Sequence, residues 1–234
     1  MNDSLRNLSS LSYDELLELA DASFPWHWEP SVVADRSTRM AVASDPDGML
    51  LEACQRQDAG EEGVIDPFWA TTWRAATGLD MYLDQLHLKD QQVLEVGCGT
   101  GQVGFSAAMR GAQVTLTDGV YDPLILVHLS TWAVRDRCKV ERLRFGVDTL
   151  SKKDFPFIFG SDVTYLRQLW PELLECLEDH LAPEGEVFLS DPFRIISTEF
   201  SEWIKNTSWI YSESSIDLPD DPAHPIRIMK LIRG

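Results

Sequence analysis

The chain is short of positive charge: 20 Lys and Arg stand against 38 Asp and Glu, a formal net charge of −18. A protein that tracks nucleic-acid phosphates normally presents a basic patch, so this balance argues against a nucleic-acid partner and suits a basic one. Cysteine is scarce as well. Cys54, Cys98, Cys138 and Cys176 lie far apart and form no Cys-x-x-Cys pair, which leaves no zinc or redox framework and points to reduced thiols. No metal is expected. No apolar run approaches membrane-spanning length, and the opening MNDSLRNLSS lacks both the basic and the apolar segment of a secretion signal. The expectation is a soluble, cytoplasmic protein with no membrane partner. Neither an internal repeat nor a low-complexity tract is visible, and nothing in the sequence speaks to oligomeric state.

What is present is ordinary globular material. The 234 residues, 44% hydrophobic and 25% charged, suffice for one large α/β domain with an extension. The reading divides the chain into an N-terminal extension over 1–65 and a main domain over 66–234. In the extension Ser12 and Glu15 have capping-box spacing before Leu16, Leu17 and Leu19, so a short helix is expected there. FPWHWEP breaks it with two prolines; its Trp26, His27 and Trp28 either cover a site or anchor the extension. TRMAVASDPDGMLLEA shows two apolar runs about Asp45-Pro46-Asp47-Gly48, either a hairpin or a strand followed by a helix. From about residue 71, Trp73, Ala76, Leu79, Tyr82, Leu83 and Leu86 recur at helical spacing. Trp69 and Trp73 are four apart, a pattern that usually marks core packing.

Beyond residue 90 strands and helices alternate. Strands are expected at 93–96, 113–117, 139–145, 157–161 and 186–190, and helices at 102–110, 122–134, 168–181 and 197–205. Two last strands, about 208–212 and 226–232, are joined only by a Pro- and Asp-rich loop, DLPDDPAH. This order implies a Rossmann-like α/β fold with a seven-stranded, mostly parallel sheet, helices on both faces and an antiparallel hairpin at the C-terminal edge.

The first expected strand runs into VLEVGCGTGQVG, a glycine-rich turn of the kind that cradles nucleotide-like ligands. A P-loop needs Lys-Ser/Thr after its last glycine, and Gln102-Val103 stands there instead. Gly99, Gly101 and Gly104 spell Gly-x-Gly-x-x-Gly, but too far past the strand end for the dinucleotide fingerprint. An acid in the strand followed by Gly-x-Gly-x-Gly, that is Glu95, Gly97, Gly99 and Gly101, suits a ligand with no pyrophosphate and a cationic amino-acid end. Glycine lets the backbone approach such a ligand closely, and Glu95 can balance an ammonium. Asp118, at the end of the next strand, can accept hydrogen bonds from a ribose diol.

These residues carry a family resemblance. VLEVGCGTG, VTLTD, FIFGSDVTY and GEVFLSDPFR resemble the successive strand-end motifs of seven-strand S-adenosylmethionine-dependent methyltransferases. DPFWATTWRAATGLDMYL is similar to the tryptophan-bearing segment before the first strand in the protein-lysine methyltransferases of that fold. DVTY resembles their Asp-x-x-Tyr motif, and SDPFR the Gly-Asp-Pro-Gly-Arg segment of the group that methylates the electron-transfer flavoprotein β subunit. The resemblance covers roughly residues 38–234. It implies S-adenosyl-L-methionine as cofactor, held by Trp73, Glu95, Gly97, Gly99, Gly101 and Asp118, with Phe145 and Gly146 beside the adenine. It implies that Asp162 and Tyr165 face the substrate amine as catalytic residues, and that Asp191 and Arg194 contact substrate. Phe193 departs from the glycine of that last segment, Ser130-Thr131-Trp132 stands where relatives often carry Asn, and GVYDP is longer than the Asp-Pro segment of relatives, so that Asp118 and Asp122 compete for the ribose role. The implied partner is a protein with an accessible lysine. A small amine is the alternative acceptor, and a non-catalytic cofactor-binding relative the alternative role.

Overall fold

The computed structural model describes residues 8–234. The extension contains α1 (Tyr13–Ser23), β1 (Trp26–Val33), β2 (Arg36–Ala43) and α2 (Pro46–Asp58). Ser12 and Glu15 cap α1 reciprocally: Ser12 Oγ accepts from Glu15 N at 3.3 Å, and Glu15 Oε2 accepts from Ser12 N at 2.8 Å. The segment at 45–48 starts a helix, because Asp45 accepts from Gly48 N at 3.0 Å and Pro46 opens α2 with its φ preset. The hairpin lies earlier. Ala34 and Asp35, at φ 51° and 56°, make the tight turn between β1 and β2. WHWEP is therefore a strand rather than a break, and Pro30 fits because neither strand of a two-stranded sheet is central. Trp26 packs edge-on to Trp28 at 5.6 Å, and Arg39 lies over Trp28 at 4.3 Å. These rings anchor the hairpin.

The helix expected from residue 71 begins later, as α3 (Arg74–Tyr82), because Phe68–Ala70 form a separate 3-10 turn. Asp80, buried in α3, ties the extension down. Its carboxylate accepts from Ala34 N in the hairpin turn, from Ser106 Oγ and from Arg110 Nη1. Ala41 N donates to the buried Ser130 Oγ at 2.9 Å, a second tie from β2.

The main sheet consists of β3 (Gln92–Glu95), β4 (Gln113–Asp118), β5 (Cys138–Arg142), β6 (Phe155–Ser161), β7 (Leu181–Asp191), β8 (Trp209–Leu218) and β9 (Asp221–Arg233). Their order is β5-β4-β3-β6-β7-β9-β8, with the first five parallel and β9 antiparallel to both neighbours. Period-two alternation decides what each face buries. Val93, Phe159, Phe188 and Ile228 join the core that also holds Leu79 of α3 and Leu83 just after it, together with α4 (Gln102–Met109) and α5 (Asp122–Ser130). Their neighbours Leu94, Ile158, Val187 and Met229 join the core under α6 (Trp170–His180) and α7 (Ile195–Ile204). DLPDDPAH is largely exposed but is not a loop throughout: β8 and β9 extend through it and leave Pro219 and Asp220 as the turn. Among the described residues no helix is long and apolar enough to cross a membrane. The strand order reverses between β3 and β6, so a crevice opens at their carboxyl ends.

Candidate active site at the carboxyl ends of the strands

That crevice holds a cavity of about 320 Å³. The chain after β3 forms one wall. Gly97, Gly99 and Gly101 lie in the left-handed region, at φ 58°, 50° and 77°. Gly101 is the N-cap of α4, and a Cβ there would sit 2.9 Å from Val127 Cγ2. Gly99 faces the cavity, where the atom nearest to an added Cβ is the Trp69 carbonyl oxygen at 3.6 Å. All three glycines adopt backbone that disfavours side chains, and Gly97 and Gly101 are crowded as well, by Val163 and Val127, while Gly99 stays open to the cavity.

Asp118 ends β4 beside this turn and lines the cavity. One of its oxygens accepts from Gly99 N at 2.9 Å and the other from Val120 N at 2.9 Å. Burial pushes its pKa up, partly offset by those backbone donors. Asp122, its rival in the sequence, opens α5 and is not on the cavity wall. Glu95 lies beneath the turn and is buried. Its Oε2 accepts from Gly104 N at 2.8 Å, while Oε1 has no hydrogen-bond partner. Burial foremost lifts its pKa from 4.5 to about 8. At neutral pH Glu95 is therefore mostly protonated, and it supports the turn from below without lining the cavity.

The opposite wall comes from the chain after β6. Asp162 adopts φ 53° and donates its N–H to Ser190 O at 2.8 Å, so its carboxylate turns to the cavity. Arg194 binds that carboxylate in a fork, Nε to Oδ1 at 3.1 Å and Nη2 to Oδ2 at 2.7 Å. Tyr165 lines the cavity and meets Phe68 edge-on at 5.5 Å. Burial, with Asp118, Asp162 and Asp66 nearby, raises its pKa, so the hydroxyl keeps its proton.

Aromatic side chains complete the enclosure. Trp73 lines the cavity, donates from Nε1 to Phe68 O at 2.8 Å, and carries Arg194 over its ring at 5.1 Å. Trp69 is a wall residue too and not only core, since it leaves the α3 face for the preceding 3-10 turn, where Phe24 backs it at 5.3 Å. Phe145 lines the cavity as well. Gly146 does not; its φ of 70° and the Glu172 Cγ that would lie 2.7 Å from an added Cβ explain the glycine by local packing.

Asp191 is the residue the structure moves out of the substrate role. It has 0% exposure, and both of its oxygens are taken by Arg227, at 3.0 and 3.1 Å. Arg227 sits directly across from it in the β7–β9 register. The Arg194 side chain reaches the site through Asp162 and Trp73 and is not itself on the cavity wall. Sequence reasoning missed Phe68 as a wall residue and missed both Arg–Asp pairs. An arginine inside the apolar alternation of PIRIMKLI is the one signal that a buried acid awaited a partner.

Fold and crevice define a class first: this is the architecture of S-adenosylmethionine-dependent methyltransferases. The solved structure of a TehB-like SAM-dependent methyltransferase from Corynebacterium glutamicum matches with a TM-score of 0.55 at 15% identity, covering 81% of this chain and 100% of that one. Sequence then narrows the class. Residues 57–207 match the lysine methyltransferase family, and the chain belongs to it. Protein N-lysine methyltransferase METTL21A of Xenopus tropicalis is 35% identical over 144 residues, which cover 57% of this chain and 63% of that protein. EEF1A lysine methyltransferase 3 of the same species is 31% identical over 133 residues, covering 53% and 58% respectively. The chain thus spans less than two thirds of the length of these curated relatives.

The residues present fit S-adenosylmethionine. Asp118 and the side-chain-free turn suit its ribose and Phe145 its adenine face.

Proposed function

We propose that the protein transfers a methyl group from S-adenosyl-L-methionine to a lysine side chain of a protein substrate. One observation carries the reading: a single cavity is lined on one side by the glycine turn and Asp118, which suit a nucleoside, and on the other by Asp162 and Tyr165, which suit an amine. Membership of the lysine methyltransferase family supports it.

When bound, the cofactor supplies an electrophilic methyl group on a sulfonium. The chain supplies position and dryness. An attacking amine must be neutral, although lysine in water has a pKa near ~10.4. Phe68, Trp69, Trp73 and Tyr165 surround the entering side chain with low-polarity surface, which lowers that pKa. They also exclude water from the line of attack. Asp162 accepts an amine N–H and aims the nitrogen lone pair. Tyr165, protonated, offers its hydroxyl to the same nitrogen's surroundings. The net charge of −18 draws a basic protein surface toward the site. Four unpaired cysteines support a reducing, cytoplasmic setting.

The test is calorimetric titration with S-adenosylmethionine and S-adenosylhomocysteine, on the native chain and on Asp118→Ala, followed by labelling of a lysate with methyl-labelled cofactor. Expected are binding by the native chain, its loss in the variant, and label in protein lysine. Absence of binding by folded protein rejects the reading. Label confined to small amines reassigns the acceptor, and binding without turnover makes the chain a non-catalytic relative.

A further inference from the structure

We propose that Arg194 is a positioning residue: its guanidinium cancels the charge of Asp162, so that the cavity selects a neutral amine over an ammonium ion. The proposal rests on the methyl-transfer reading above and assigns a device within its site.

Asp162 lines the cavity and is almost fully buried. A bare carboxylate there would hold a substrate ammonium in its charged form, against the deprotonation that attack requires. The structure does not leave it bare. Arg194 takes both oxygens in the fork geometry specific to a guanidinium, at 3.1 and 2.7 Å. Each oxygen keeps a further lone pair, so Asp162 still accepts one N–H from an amine. Orientation is retained while attraction for a second positive charge is removed.

Arg194 is held for this purpose from two sides. Its guanidinium lies over the Trp73 ring, a cavity wall, at 5.1 Å. Its loop is fixed below by the buried Asp191–Arg227 pair, and Arg227 also lies under the Phe193 ring at 4.8 Å. Phe193 itself stands at φ 57°, in the left-handed region that favours glycine. This backbone bend turns the next residue, Arg194, back toward Asp162. The remaining charged groups near Asp162 do not substitute for it. Asp66 and Asp118 on the cavity wall and Asp191 at the end of β7 are acidic, and Tyr165 is neutral. Arg144 on the wall is engaged by Asp148, and Arg227 by Asp191.

The test uses n-butylammonium as a lysine side-chain probe, titrated calorimetrically at pH 7 into the full chain with and without S-adenosylhomocysteine. With the Asp162 charge uncovered, Arg194→Gln and Arg194→Met should bind the probe at least about tenfold more tightly than the native chain, the equivalent of a one-unit pKa rise in the bound amine. Arg194→Lys, which restores a cation, should stay near native. Asp162→Asn combined with Arg194→Gln should abolish the gain. Equal affinity in native and Arg194→Gln protein, including no measurable heat from either, overturns the proposal, as does a gain that survives in the double variant. Circular dichroism confirms folding, and two uncharged variants guard against a local defect in one. Failure of S-adenosylhomocysteine to bind would count against the methyl-transfer reading alone, because the probe titration on the free chain is scored independently.

Discussion

Glu95 offers the sharpest test of the site's electrostatics. In the native fold burial holds its carboxyl protonated up to about 8, whereas in the unfolded chain it ionises near 4.5. Between those values the folded state binds one more proton than the unfolded state, so stability falls as pH rises. The slope from this group is about 1.4 kcal/mol per pH unit. From pH 5 to pH 7 the ligand-free protein should therefore lose about 3 kcal/mol through Glu95 alone. Glu95→Gln keeps the shape and an acceptor for Gly104 N, leaves the other atom buried, and cannot titrate. Any fixed cost of burying the amide is the same at every pH, so the slope, not the absolute stability, is the observable. Urea unfolding at half-unit steps from pH 5 to pH 8 on both proteins measures it. The stability difference, variant minus native, should rise steadily by that amount between pH 5 and 7. Parallel curves would mean that Glu95 ionises in the fold as readily as in the unfolded chain, and would refute the burial argument.

Two further predictions concern packing. Asp191→Ala leaves Arg227, only 3% exposed, without its forked partner and should cost about 3–5 kcal/mol by chemical denaturation. Replacing both residues by Leu and Met should recover most of that loss; a double variant as weak as the single would show that more than the ion pair holds the loop. Gly104→Ala, which in an exposed helix would gain about 1 kcal/mol, should instead lose about 1–3 kcal/mol. Its Cβ would lie 2.5 Å from Glu95 Oε2 and 2.6 Å from Leu116 Cδ2. A rise in melting temperature would refute that account.

The parts of the molecule legible in advance are those governed by local rules. Val93–Glu95, Thr115–Asp118 and Ile158–Ser161 read as strands because apolar runs end in Gly or Asp at a crevice, and the capping box at Ser12 shows in four residues. The β1–β2 hairpin was hidden. WHWE alternates, but only over four residues and between two prolines, and the hairpin forms because Val33, Met40 and Val42 find Phe105 of α4 to pack on. The length of β8 was hidden for a related reason. SESSIDL is polar, and only pairing with β9 at the sheet edge keeps it extended. At the site, Asp118 and the glycines were legible because one turn brings them together. The engagement of Asp162 by Arg194 was not, since it depends on the path of a different loop.

By itself the sequence determined the alternation of strands and helices, the glycine turn that only left-handed backbone can make, and the excess of acid that sets its electrostatic field. Those follow from backbone sterics, side-chain periodicity and simple charge counting, all of which act over a few residues or over the sum. Tertiary structure alone decided which carboxylates meet solvent, ligand or arginine. Asp118 and Asp162 face one cavity across the β3–β6 switch point, Asp191 is consumed by a cross-strand arginine, and Glu95 is buried deeply enough to hold a proton. Desolvation and pairing depend on what residues distant in the chain place beside a group, and the fold alone specifies that.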